Sequence, residues 1–387
     1  MSRPIEAVIN LANIRDNYTL AKKLAPHSRV MAVVKANAYG HGSTQVATAL
    51  TEADAFGVAC LAEALELREA GIVQPIVLLG GAFDAAELRD VVGNDLQLVI
   101  HSSQQLSDFL GSELSKRVSV WLKMDTGMHR LGFSARAFAE ARRSLNASGK
   151  VKELVLMSHF SCADQCDKKT TESQLALFNK EVAGLEELKS LANSAALISC
   201  PDTHCDWVRP GIMLYGANPL SKPALPPGSL RPAIMPMTIP MTIPMTIPMT
   251  IPMTIPMIKP AMTLRSRLVA INEIAAGESV GYGQQWHAPQ AARIGTVAVG
   301  YADGYPRHAA NGTPVLVAGH RASLVGRVSM DFISVDLTGL PEVATGDEVV
   351  LWGDGLPVEE VAAMADTITY QLLAGIQQRV NYRYLDK

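Results

Sequence analysis

Val30-Met31-Ala32-Val33-Val34-Lys35-Ala36-Asn37-Ala38-Tyr39-Gly40-His41-Gly42 is an apolar, β-branched run that breaks at a lysine into a glycine-containing loop. Its first five residues have the composition of a buried strand, and the glycines punctuate it. An amine placed after a buried strand is partly desolvated, which lowers its pKa and frees its lone pair for Schiff-base chemistry. Glycines let backbone N–H groups come close to an anion such as a phosphate. The hydroxyl of Tyr39 is offered to the same pocket. A nucleophilic lysine beside an anion cradle is what pyridoxal 5'-phosphate (PLP) requires.

Outward from this stretch, short apolar runs alternate with amphipathic ones. The candidate strands are Val30–Val34, Ala55–Cys60, Pro75–Leu79, Gln97–His101, Val118–Met124, Leu154–His159, Ala195–Ser199 and Ile212–Tyr215. Between them, Ala62–Ala70, Ala85–Val92, Ala135–Leu145 and Glu172–Leu191 have apolar residues at helical spacing. Repeated alternation implies parallel strands joined by crossovers. The α/β pattern predicts an N-terminal (β/α)8 TIM barrel, with a doubly wound open sheet as the alternative. Barrel active sites form at the C-terminal ends of strands. Lys35, Lys123, His159 and the Arg209-Pro210-Gly211 turn fall near such ends.

After about Thr263 the texture becomes that of a mostly β C-terminal domain. Val269–Ile274, Arg293–Val299, Pro314–Val317, Ala322–Val328, Phe332–Leu337 and Glu348–Leu351 are short β-rich runs between Gly, Asp and Pro turns, with a helix at Val358–Met364. Residues 1–12 read as a strand joining this domain, 13–231 as the barrel and 261–387 as the β domain. Residues 232–260 hold five consecutive Pro-Met-Thr-Ile tetrads, starting at Pro236, Pro240, Pro244, Pro248 and Pro252. A proline at every fourth position excludes an α-helix, and with it a membrane-spanning one. The repeat reads as an inserted linker without chemistry.

The 387 residues can bury two cores. A 48% hydrophobic and 18% charged composition fits a compact chain. A formal net charge of -3 with no Lys/Arg run argues against a nucleic-acid partner. The start of the chain has no signal-peptide pattern, and five sparse cysteines suit a reducing cytoplasm. Cys162, Cys166, Cys205, His159 and His204 match no standard zinc spacing, so no metal is expected.

Three more segments carry candidate chemistry. Lys123-Met124-Asp125-Thr126-Gly127-Met128-His129-Arg130 joins a lysine inside an apolar strand to an arginine whose fork of donors suits a carboxylate or a phenolate. Arg209-Pro210-Gly211-Ile212 exposes N–H groups that can bind a phosphate. Gly300-Tyr301-Ala302-Asp303-Gly304 presents a tyrosine that can act as an acid or base beside a cation.

Together with Leu214-Tyr215-Gly216 and Gly326-Arg327 through Met330-Asp331, these motifs resemble, in order, those of the bacterial PLP-dependent alanine racemases. The resemblance implies a homodimer with shared active sites and alanine as the small-molecule substrate. Lys35 would hold PLP as a Schiff base and serve the D-enantiomer. Tyr301 from the partner subunit would be the base for the L-enantiomer. Arg209 would meet the pyridine nitrogen, with His159 linking it to Tyr301. Tyr39, Ser194, Gly211, Ile212 and Tyr370 would hold the phosphate, and Arg130 and Met330 would meet the substrate carboxylate. Lys123 would be carbamylated, and Tyr282, Arg327 and Tyr370 would line a narrow entrance. D-Alanine for peptidoglycan, or alanine catabolism, would be the cellular purpose. A broad-specificity racemase and a barrel-type PLP decarboxylase are the alternatives.

Overall fold

The computed structural model describes residues 3–165, 167–220 and 257–386. Strand β1 (Glu6–Asn10) runs into a helix, Leu11–Leu24, whose first turn is capped by the Asn10 side chain accepting from the Asn13 N–H at 3.0 Å. Eight parallel strands follow and close into a barrel: β2 (Arg29–Val33), β3 (Ala55–Val58), β4 (Ile76–Leu78), β5 (Leu96–Ile100), β6 (Val118–Lys123), β7 (Val151–Met157), β8 (Leu188–Asn193) and β9 (Trp207–Arg209). β9 returns to pair with β2, Arg29 opposite Trp207. Alternation puts every second residue inside, where Met31, Ala55, Val77, Val99, Trp121, Val155, Met157 and Trp207 form one packed layer. Trp121 meets the edge of Trp207, and its indole N–H donates to the Gln97 side chain at 2.8 Å. The barrel is therefore a filled core whose C-terminal rim is left for chemistry.

The last two strands differ from the sequence reading. Ala195–Ser199 lies in a short helix, Ser194–Ser199, capped by Asn193, and Ile212–Tyr215 is a 3-10 turn. Both apolar runs are buried all round, and periodicity cannot separate a short buried helix from a strand. The true strands carry polar residues that the barrel absorbs. The Lys189 ammonium donates to the carbonyls of Leu185 and Glu187, and the Ser190 hydroxyl donates to the Trp207 carbonyl. The expected helix Glu172–Leu191 correspondingly stops at Glu181.

The remaining strands form an antiparallel sheet built on β10 (Met262–Ile274), which pairs with both Glu348–Trp352 and Ala292–Val297. The sheet thus turns back on itself. β1 adds antiparallel to β10 and parallel to a further strand, Asn381–Leu385. That strand and the helix Thr369–Ala374 are absent from the sequence reading, because each is short and mixes exposed with buried positions.

The Pro-Met-Thr-Ile tetrads lie outside the described residues. The chain on either side of them meets at one place. The Ala261 N–H donates to the Tyr215 carbonyl at 3.2 Å, and a Cβ on Gly216 would overlap the Lys259 carbonyl. Asn17, buried in the first helix, staples this junction. Its amide donates to the carbonyls of Leu214 (3.0 Å) and Lys259 (2.8 Å) and accepts from the Lys259 N–H at 2.9 Å. Replacing Asn17 by Ala leaves these groups unpaired in a dry site. Urea unfolding of Asn17→Ala is expected to show a loss of about 1–3 kcal/mol, and a midpoint equal to that of the parent chain would refute this account of the junction.

Candidate active site

Lys35 stands two residues beyond the end of β2, half-buried at the barrel rim. Burial and the nearby Arg130 guanidinium lower its pKa, while Glu63 opposes them. The next four residues, Ala36, Asn37, Ala38 and Tyr39, all have φ of 52–53°, a left-handed turn built without glycine. That conformation costs roughly 1–2 kcal/mol per residue, so the surroundings must impose it. The Glu63 carboxylate accepts from the Ala36 N–H at 2.8 Å, and the Asn37 side chain accepts from the Ser43 N–H at 2.9 Å. Tyr382 of the β domain donates its hydroxyl to the Gly40 carbonyl at 3.0 Å. Gly40 has φ +81°, and a Cβ there would overlap the Leu373 carbonyl. Inside the turn, His41 is fully buried with its pKa pushed down to about 4, so the neutral ring donates Nδ1–H to the Tyr39 and Ala38 carbonyls.

The turn delivers Tyr39 to an anion-sized recess. Its ring stacks on Tyr215, with centroids 4.8 Å apart, and lies 5.9 Å from Tyr370 on the helix Thr369–Ala374. The Tyr39 hydroxyl sits so close to Gly211 that a Cβ there, 2.6 Å away, would collide with it. The Ser194 hydroxyl accepts from the Gly211 N–H at 2.8 Å and lies 3.4 Å from the Met213 nitrogen. Tyr39, Ser194, Gly211 and Ile212 therefore converge on one end of the barrel, at the starts of the two short helical turns 194–199 and 212–215.

Three further cations share this rim. Lys123 ends β6, is only 8% exposed, and has its pKa lowered to about 8 by burial and by Arg209, Arg130 and Lys35. Arg130 is exposed at the end of a loop shaped by Asp125, whose carboxylate accepts from the N–H groups of Gly127, Met128 and His129 at 2.9–3.1 Å. Arg209, the last residue of β9, is 5% exposed. Among the described residues it has no carboxylate partner: its guanidinium donates to the Ser190 hydroxyl, to the Ser158 carbonyl at 2.7 Å and to the Leu191 carbonyl at 3.2 Å. Burial brings its pKa down to about 10, which leaves it charged at neutral pH. His159, 3.5 Å from Arg209, is held well below its usual pKa by burial and the surrounding cations. Its Nδ1 is therefore free to accept from the guanidinium. A cation-rich rim around a desolvated amine, with a hydroxyl-lined recess beside it, fits a phosphate-bearing carbonyl cofactor such as PLP and a carboxylate substrate.

Tyr301 and Met330 belong to a different group, on the β domain. The Tyr301 N–H donates to the Ser329 carbonyl at 3.0 Å and the Ala302 N–H to the Met330 carbonyl at 3.1 Å. Among the described residues, no hydrogen bond or ring contact joins them to Lys35 within the chain. The turn that carries Tyr282 lies against Arg327 there too, since a Cβ on Gly283 would lie 3.3 Å from the Arg327 guanidinium. Sequence reading gave no role to Glu63, His41 or Tyr215; His41 and Tyr215 lie inside quoted motifs, beside Gly40, Gly42 and Gly216, without a chemistry that singles them out, and Glu63 lies in an ordinary helical pattern.

A closed (β/α)8 barrel with an appended β domain and a lysine at the barrel mouth defines a class of two-domain barrel proteins. Family models narrow this: the N-terminal domain of alanine racemase matches residues 9–219 and its C-terminal domain residues 261–384. The alanine racemase of Chromohalobacter salexigens is 48% identical over 99% of this chain and 98% of its own length. The biosynthetic alanine racemase of Pseudomonas aeruginosa is 47% identical, and the catabolic one of the same organism 46%. The crystal structure of the biosynthetic enzyme superposes with a TM-score of 0.89 at 46% identity, covering 99% of both chains. The chain belongs to the alanine racemase family and is an isomerase.

The Lys123 environment makes a pH-dependent prediction. Its folded pKa lies near 8 against an ordinary 10.5. The folded chain thus binds fewer protons than the unfolded one between these values. The buried charge subtracts from stability fully below about pH 8, and the penalty fades as the pH rises to 10.5. In bicarbonate-free buffer, Lys123→Met should stabilise the cofactor-free protein at pH 7 by about 2–3 kcal/mol. That gain should shrink in urea titrations at higher pH; a gain independent of pH would contradict the assignment.

Proposed function

We propose that the chain interconverts L- and D-alanine with PLP, removing the α-proton on one face of the bound amino acid and delivering one to the other face. The observation that carries this reading is the amine of Lys35, desolvated and lowered in pKa, beside the recess of Tyr39, Ser194 and Gly211. When bound, PLP supplies an electron-withdrawing ring that acidifies the α-proton of an attached amino acid. Lys35 binds the cofactor and carries a proton on its own face. Tyr39, Ser194, Tyr370 and the N–H groups of Gly211 and Ile212 hold the phosphate. The Arg130 fork takes the substrate carboxylate, joined by Met330 of a neighbouring copy. Arg209 stays protonated and so donates to the ring nitrogen without surrendering a proton. That weakens the ring as an electron sink and favours simple proton exchange over decarboxylation. The lowered pKa of Lys123 makes its amine open to carbamylation, which would turn a cation crowded by cations into a counter-charge for Arg130 and Arg209.

Exchange across a plane needs a second acid/base on the opposite face, and in this reading a phenol from the second subunit of a homodimer provides it. That phenol is Tyr301, as the sequence reading has it. A side chain that acts in a neighbour must stand clear of its own chain. Tyr301 is 39% exposed, its ring lies 5.9 Å from the Arg307 guanidinium, and its turn is tied to the Met330 loop. Tyr282 is 70% exposed on a turn between two glycines of positive φ, Gly281 and Gly283. Tyr301, exposed on its turn and beside a cation, is therefore the second base, and Tyr282 stands at the entrance. The same two-subunit arrangement is compatible with either physiological direction, D-alanine for peptidoglycan or alanine catabolism, in a cytoplasmic setting.

Incubation with L-alanine in deuterated water should give loss of optical activity together with α-deuterium; release of carbon dioxide would replace this reading with a decarboxylase. Tyr301→Phe should slow L-to-D conversion by about 100-fold or more while the cofactor's colour remains, and Tyr282→Phe should have the smaller effect. The opposite ranking of the two variants would move the role to Tyr282.

A further inference from the structure

The turn that follows Lys35 is held at its far end by Asn37, His41 and the β domain, but at its near end by one carboxylate. Glu63 lies in the first turn of the helix Leu61–Glu69. One of its oxygens accepts from the Ala36 N–H at 2.8 Å and the other from the Ala59 N–H at 2.6 Å. Its two oxygens thus bridge the chain just past the ends of β2 and β3, at the residue adjoining Lys35. Ala36 is also the first of the four left-handed residues, so this bond fixes the direction in which the lysine leaves the strand.

The charge of Glu63 matters as well as its oxygens. Lys35 is faced by Arg130 from the loop after β6, by Lys123 at the end of β6 and by His159 beyond β7. Asp125 is engaged with its own loop and with Lys123. Glu63 is the carboxylate that acts on Lys35, raising its pKa against burial and Arg130. We propose that Glu63 is a positioning residue for Lys35, fixing the left-handed turn through the Ala36 N–H and supplying the negative charge that balances Arg130. This deepens the reading of Lys35 as the cofactor-binding amine and rests on it.

Glu63→Gln keeps an acceptor but removes the charge; Glu63→Ala removes both. Each is compared with the parent holoenzyme by visible absorbance of the lysine-bound cofactor across pH, by PLP retained on exhaustive dialysis, and by thermal midpoint. Glu63→Ala should retain PLP about 10-fold more weakly, roughly the loss of one charge-assisted hydrogen bond, and Glu63→Gln should restore most of that affinity. With the anion gone, Lys35 loses its proton more easily. The pH midpoint of cofactor attachment in Glu63→Gln should therefore move down, by about half a unit to one unit, a shift that a simple helix cap would not produce. Parent-like retention and midpoint in both variants would overturn the proposal. So would equal loss in both that merely follows the thermal midpoint. A parent protein that takes up no PLP would instead overturn the cofactor reading on which the proposal stands.

Discussion

Lys35, Lys123, Arg130 and Arg209 act on one another across a single barrel rim, while Glu63 and Asp125 are the carboxylates that act on Lys35 and Lys123. Like charges in a partly dry site repel strongly, and their pKa values fall until one or more is neutral. Much of the local architecture can be traced to this. Lys35 and Lys123 are lowered, His159 is held neutral, and Arg209 keeps its charge through carbonyl and hydroxyl acceptors instead of an acid. A site so built gains most from anions, and a phosphate and a carboxylate arriving together would relieve its repulsion from two sides.

The β domain enters this balance through the backbone more than through charge. Tyr382 bonds to Gly40, the Leu373 carbonyl leaves no room for a side chain there, and Tyr370 comes to within 5.9 Å of Tyr39. The left-handed turn is thus clamped between barrel and sheet, and the placement of Lys35 depends on the two being docked. β1 reinforces the docking, because the first strand belongs to the sheet while the helix after it packs on the barrel. Asn17 on that helix then holds the point where the chain re-enters the β domain.

Where a short apolar, β-branched run is bounded by polar or turn residues, the fold was readable from the sequence: Val30–Val34, Val118–Met124 and Pro314–Val317 are strands in the structure to within a residue. It was unreadable where the barrel interior is polar. Ser190 and Arg209 face acceptors inside the last two strands, so those strands lack the apolar signature, while the adjacent Ala195–Ser199 has it and is helical. The site was readable at residues whose chemistry is uncommon in a loop, such as Lys35 and Arg130. Glu63 looks like any helical glutamate, and its role emerges only once the Ala36 N–H is seen to need it.

The pairing of Arg209 with a neutral histidine bears on the type of reaction. An acid at that position would share a proton with a ring nitrogen and make the ring a deep electron sink. A guanidinium cannot, since even with burial its pKa stays near 10. Three of its bonds go to Ser190, Ser158 and Leu191, which fix it rigidly to β8 and to the end of β7. Moving it would leave a buried charge unpaired, a large cost. With PLP bound as proposed, the barrel itself would set a shallow sink, and the chemistry left to such a site would be brief proton removal and return, which needs acid/base groups placed accurately on both faces more than it needs a stabilised carbanion.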